Sequence, residues 1–85
     1  MNAIDSKVKD VVVSTLGIED RAAAIDASTP LLGGLPEMDS LATVELVAAL
    51  EAQFAITLDD DDIHAESFET LGSLTDLVSR KARES

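Results

Sequence analysis

The sequence predicts an all-α domain: a small four-helix bundle of three principal helices and one short one, with a long loop between helices 1 and 2. Three observations carry that reading. Apolar residues recur at helical spacing in three separated stretches, around Val8, Leu46 and Leu74. Pro30, Gly33, Gly34 and Pro36 gather in a single connection, where they interrupt continuous helix. The chain has 85 residues, 46% of them hydrophobic, which suits one domain spanning residues 1–85 and a thin core.

Each element follows from its own residues. Ile4, Val8, Val11, Val12, Thr15 and Leu16 form one apolar stripe of a first helix. Asn2 and Asp5 suit its start, and Gly17 suits the position just past its end. The connection from about Ile18 to Met38 follows, with room for a turn of helix over Arg21–Ile25. Ile25, Leu31, Leu32 and Leu35 are expected to pin it to the core, and a loop this long in a small domain tends to be functional.

The second helix is expected from Ser40 to about Phe54, with Asp39 as N-cap. At 100° per residue, Thr43, Leu46, Val47, Leu50 and Phe54 share the core-facing sector. The opposite side carries Leu41, Val44, Glu45, Ala48, Glu51 and Ala52, two carboxylates among apolar side chains where a solvent face is ordinarily polar. The acidic run Asp59–Asp62 precedes Ile63–Glu66, read as the short helix. The last helix runs from about Thr70 to Ala82, with Leu71, Leu74, Leu77 and Val78 inward. Arg80, Lys81 and Arg83 sit at its C-terminal end, where cations complement the helix dipole.

Six Lys and Arg stand against 17 Asp and Glu, a net charge of −11. That balance argues against nucleic acid and anionic membranes as partners and favours basic patches on other proteins. No cysteine is present, so any thiol chemistry has to come from an added group. The polar first residues and the lack of a long apolar window lead to the expectation of a cytoplasmic location, and the chain is expected to be a monomer.

Ser40 is the residue that stands out. An Asp-Ser pair in isolation is explained by capping alone. Here the pair closes a long loop and opens a helix whose outer face is half apolar, which places an exposed hydroxyl beside unpaired backbone N–H groups, a good seat for a phosphate ester. Self-activation of Ser40 needs an oriented base. The only histidine, His64, falls in the acidic segment and is assigned to the surface at a helix start; the neighbours Met38, Asp39, Leu41 and Ala42 form no nucleophile elbow. No catalytic residue is therefore assigned. No metal site is assigned either: counting from Asp59, the sixth and twelfth positions are His64 and Thr70, where a calcium loop requires Gly and Glu.

From Asp39-Ser40-Leu41 to Phe54 the sequence resembles the second helix of the acyl carrier protein family almost without a gap, and the order and spacing of the first and last helices fit as well. The resemblance implies an acyl-carrier-type bundle in which Ser40 carries a covalent 4′-phosphopantetheine arm, taken from coenzyme A by a separate Mg²⁺-dependent phosphopantetheinyl transferase. It further implies that Asp39 helps place that enzyme and its metal. Leu41, Val44, Glu45, Ala48 and Glu51 match the positions that dock basic patches on partner enzymes. The arm's thiol would hold acyl groups as thioesters for fatty acid, polyketide or related secondary-pathway synthesis, which makes the chain a carrier and not an enzyme.

Two departures set this sequence apart: Leu35-Pro36-Glu37-Met38 stands between Gly33-Gly34 and Asp39, and Ala42, Ala52 and Gln53 occupy positions that are usually acidic. A D-alanyl, aminoacyl or peptidyl carrier shares the Ser40 chemistry and differs in cargo. An unmodified acidic interaction module is the alternative from another class.

Overall fold

Helix α1 covers Ala3–Leu16 and buries Val8, Val12 and Val13. The computed structural model describes residues 3–35 and 38–84; Asn2, Pro36 and Glu37, each given a part in the sequence reading, lie outside them. The end of α1 is fixed by Gly17, whose φ of 68° is left-handed. Gly17 N–H donates to the Ser14 carbonyl (3.3 Å) and Ile18 N–H to the Val13 carbonyl (3.0 Å), the paired bonds of a Schellman turn. Ile18 and Val13, both buried, supply its apolar contact.

The short helix lies inside the long connection, as a 3₁₀ turn over Glu19–Ala24. None of its residues is buried; the isoleucines at its two flanks, Ile18 and Ile25, hold it to the core. Beyond it, the Asp26 carboxylate accepts from Ser28 N–H (3.0 Å) and Ser28 Oγ (2.8 Å), closing an Asx turn. These bonds, the Ser28 hydroxyl first, hold the Asp26 carboxyl below the usual aspartate range.

The rest of the connection is tied to the start of the last helix. Pro30 and Thr70 form an isolated antiparallel bridge. Leu31 N–H donates to Glu69 O (2.8 Å), Leu32 N–H to Phe68 O (3.0 Å) and Gly72 N–H to Ala27 O (2.8 Å). Leu31 is fully buried, whereas Leu32 opens a turn in which Gly34 N–H and Leu35 N–H both donate to the Leu31 carbonyl, and it is 41% exposed. Leu32 therefore does not pin the loop as the sequence suggested; Ile25 and Leu31 do, with Leu35 packed against the core.

Helix α2 covers Ser40–Phe54, and helix α3 covers Leu71–Glu84. Leu46 and Leu50 of α2 and Leu71, Leu74, Leu77 and Val78 of α3 meet Val8 and Val12 of α1, with Phe68 and Leu31 completing the core. Helix α1 packs broadly against both of the others, whereas α2 and α3 meet only sparingly. Thr70 caps α3: its Oγ1 accepts from Ser73 N–H and its own N–H donates to Ser73 Oγ, each at 3.1 Å.

Ile63–Glu66 is not a regular helix. From Asp59 to Glu69 the backbone makes a series of turns closed three residues apart, among them Ser67 N–H to His64 O (3.0 Å) and Phe68 N–H to Ala65 O (3.2 Å). So few residues cannot repay helix nucleation on their own, and burial of Phe68 sets the path instead. The Asp59–Asp62 turn is tied to α3: Lys81 Nζ lies 3.0 Å from Asp62 Oδ2 and 3.7 Å from Asp59 Oδ2. Asp59 N–H also donates to Asp62 Oδ2 (2.9 Å), and this bond, ahead of Lys81, holds the Asp62 carboxyl below its usual range. The run is thus a pinned turn rather than a helix start.

Candidate functional site at the start of helix α2

Met38 is buried, and its N–H donates to the Leu35 carbonyl (3.0 Å), so the chain is anchored one residue before it reaches the surface. Asp39 then takes an extended conformation (φ −105°, ψ −174°) and caps α2. Its Oδ1 accepts from Ala42 N–H at 2.8 Å, and its carbonyl accepts from both the N–H and the hydroxyl of Thr43 at 2.9 Å. Asp39, expected at the transferase's metal, is exposed with one carboxylate oxygen committed to the cap.

Ser40 is the first residue of α2, and its side chain is exposed. Its hydroxyl and the backbone N–H groups of Ser40 and Leu41 make no hydrogen bond among the described residues. No acidic side chain lies in the first turn of α2, so Asp39 is the sole carboxylate that the helix itself brings to this end. These N–H groups, unbonded among the described residues, and the positive end of the helix dipole make the position favourable for an anionic ester on Ser40.

The outward face of α2 begins directly beyond the serine. Leu41 is 67% and Val44 66% exposed, and Glu45 and Ala48 are exposed as well. These four make one apolar and acidic strip. Glu51, grouped with them by periodicity, behaves differently: it is half-buried, and its Oε2 accepts from Leu58 N–H at 2.8 Å. Its carboxylate holds the chain leaving α2, where Ala55 is left-handed (φ 54°) and Ile56 N–H returns to the Glu51 carbonyl.

On its other side Ser40 borders an open groove of about 290 Å³. Thr43 stands on the same wall, Ile63, His64 and Ala65 face it, and Leu32 and Phe68 complete the lining. The sequence put His64 on the surface, and it is exposed; what the sequence did not reveal is that the turns after Asp62 bring it to the serine's groove. His64 Nε2 lies 3.3 Å from Ser67 Oγ. Among the described residues, no three His, Asp or Glu side chains are grouped to hold a metal ion, and no helix is long and apolar enough to cross a membrane.

Two comparisons bear on this geometry. Residues 6–78 match the family model described as the phosphopantetheine attachment site. The fold is similar to the solution structure of the holo acyl carrier protein of Nitrosomonas europaea, at 40% identity over 98% of this chain and 99% of that one, with a TM-score of 0.86. A capped, outward-facing serine on a bundle of this kind is therefore no isolated likeness, and the chain belongs to the phosphopantetheine-attachment family of carrier domains, a non-enzymatic carrier whose covalent cofactor is 4′-phosphopantetheine.

Proposed function

We propose that Ser40 is the attachment residue and that the chain carries acyl groups between partner enzymes. The single observation behind this reading is the exposed Ser40 hydroxyl at the positive end of α2, set there by the Asp39 cap and the buried Met38. The residues present fit the group. Ser40 Oγ is free to form the phosphodiester, and the N–H groups of Ser40 and Leu41 are positioned to stabilise its charge. His64 Nε2 bonds Ser67 Oγ and not Ser40, and in this reading the transferase takes the Ser40 proton. When bound, the arm supplies the thiol that this cysteine-free chain lacks and holds cargo as a thioester.

Leu41, Val44, Glu45 and Ala48 form the docking strip for the transferase and for acyl-handling enzymes with basic patches. Exposed apolar area supplies affinity and the surrounding negative charge steers the encounter, so added salt weakens docking. Glu51 contributes charge at the edge of this strip, with one of its oxygens spent on Leu58.

Treatment with coenzyme A and a broad-range phosphopantetheinyl transferase adds the mass of one arm, and Ser40→Ala abolishes the gain. An unchanged mass for the unsubstituted chain would leave only an acidic interaction module. Loading assays with acyl, D-alanyl, aminoacyl and peptidyl-synthesis ligases identify the cargo; transfer of fatty or polyketide acyl groups is the expected result.

A further inference from the structure

His64 has no part in attaching the arm or holding its thioester, yet it shares a groove with Ser40. The polar side chains lining that groove are Ser40, Thr43 and His64. Thr43 Oγ1 is spent on the Asp39 carbonyl (2.9 Å), and Ser40 Oγ becomes the ester oxygen once modified. His64 Nε2 is engaged with Ser67 Oγ (3.3 Å), while its Nδ1 has no hydrogen bond among the described residues. A serine hydroxyl can donate or accept, so Ser67 holds the ring in place whichever tautomer it takes. None of the six Lys and Arg side chains lines this groove, which leaves the His64 ring as the side chain there with a nitrogen still open to a ligand.

Resting on the assignment of the arm to Ser40, we propose that His64 is a positioning residue for that arm. Its Nδ1 donates a hydrogen bond to the arm's phosphodiester across the groove, and the pantetheine chain lies against Ile63 and Phe68. Two properties of the groove favour this course over one along Leu41 and Val44. It offers the ester anion a donor on a protein of net charge −11, and it has an apolar floor in Phe68, which is only 2% exposed. The outward strip of α2, by contrast, presents apolar side chains and the Glu45 carboxylate.

The test uses the intact holo protein, made with coenzyme A and a transferase and verified by mass. NOEs from the arm's geminal methyls to Ile63 and Phe68 and the arm's phosphorus resonance are recorded for the unsubstituted protein, His64→Ala and His64→Asn. The expected result is clear NOEs in the unsubstituted protein. In H64A the ratio of docked to free arm should fall roughly fivefold, the effect of one net hydrogen bond, with a displaced phosphorus signal. Asn keeps a donor near the Nδ1 position and restores both in part, which a purely structural role for the ring would not do. An attached arm without NOEs to Ile63 and Phe68, or with NOEs and a phosphorus signal indifferent to H64A, overturns the proposal and leaves the carrier reading standing. A protein that accepts no arm at Ser40 overturns both.

Discussion

Glu51 holds the chain that leaves α2 and also borders the proposed docking strip, and two substitutions separate the two roles. Its Oε2 accepts from Leu58 N–H at 2.8 Å, and Leu58 is buried at 7% exposure. Glu51→Ala removes that acceptor and leaves a largely shielded N–H without a partner, a loss of about 1–3 kcal/mol. The bond is only part-buried, so the lower half of that range applies, about 1–2 kcal/mol. For a domain of this size each kcal/mol moves Tm by about 4–8 °C, so E51A should melt roughly 5–15 °C lower. Glu51→Gln keeps an amide oxygen within reach and loses only the charge assistance, at a cost below about 1 kcal/mol. Thermal unfolding followed by circular dichroism measures both. Equal losses in the two variants, or no loss in E51A, would refute the structural role. Transferase binding then reports the charge alone: E51Q, folded and nearly as stable, should associate more slowly at low salt.

Three further outcomes follow from the backbone and the turns. Ala55 is held at φ 54°, so Ala55→Gly relieves left-handed strain and should raise stability by about 0.5–1 kcal/mol, read as a higher Tm. A Cβ on Gly72 would stand 2.9 Å from the Ala27 carbonyl oxygen, which already accepts the Gly72 N–H; Gly72→Ala should cost about 1–3 kcal/mol in denaturant unfolding. The Asp62 carboxyl lies below its ordinary value of 3.8 when folded, so its contribution is fully present above that pH and is lost as pH falls through the depressed value. Asp62→Asn should therefore flatten the decline in stability below about pH 4, measured as Tm against pH beside the unsubstituted protein.

Much of this was legible in the chain. Helix α2 was readable to the residue because two independent signals coincide: the Asp39 cap chemistry fixes its start, and the Leu46–Leu50 periodicity fixes its face. Ser40 was readable for the same reason, since a cap defines where a side chain stands relative to the helix end. What escaped depends on long-range contact. A helical wheel places Glu51 on the outer face but says nothing of the strand of backbone that returns over it to present Leu58 N–H. Leu31 and Leu32 are equally apolar, and only the Pro30–Thr70 bridge decides which one points inward. Ile63–Glu66 reads as helix by composition, yet its path is set by anchoring Phe68, and that same path carries His64 to the serine.

The uneven meeting of the helices has a mechanical corollary. Because α1 grips both α2 and α3 while those two scarcely touch, α1 acts as the keel of the bundle. Removing it would leave α2 and α3 with little to hold them together, so the serine's bearing depends on α1 as well as on the cap and the buried Met38 beside it. The seam between α2 and α3, by the same logic, can part without disturbing the keel.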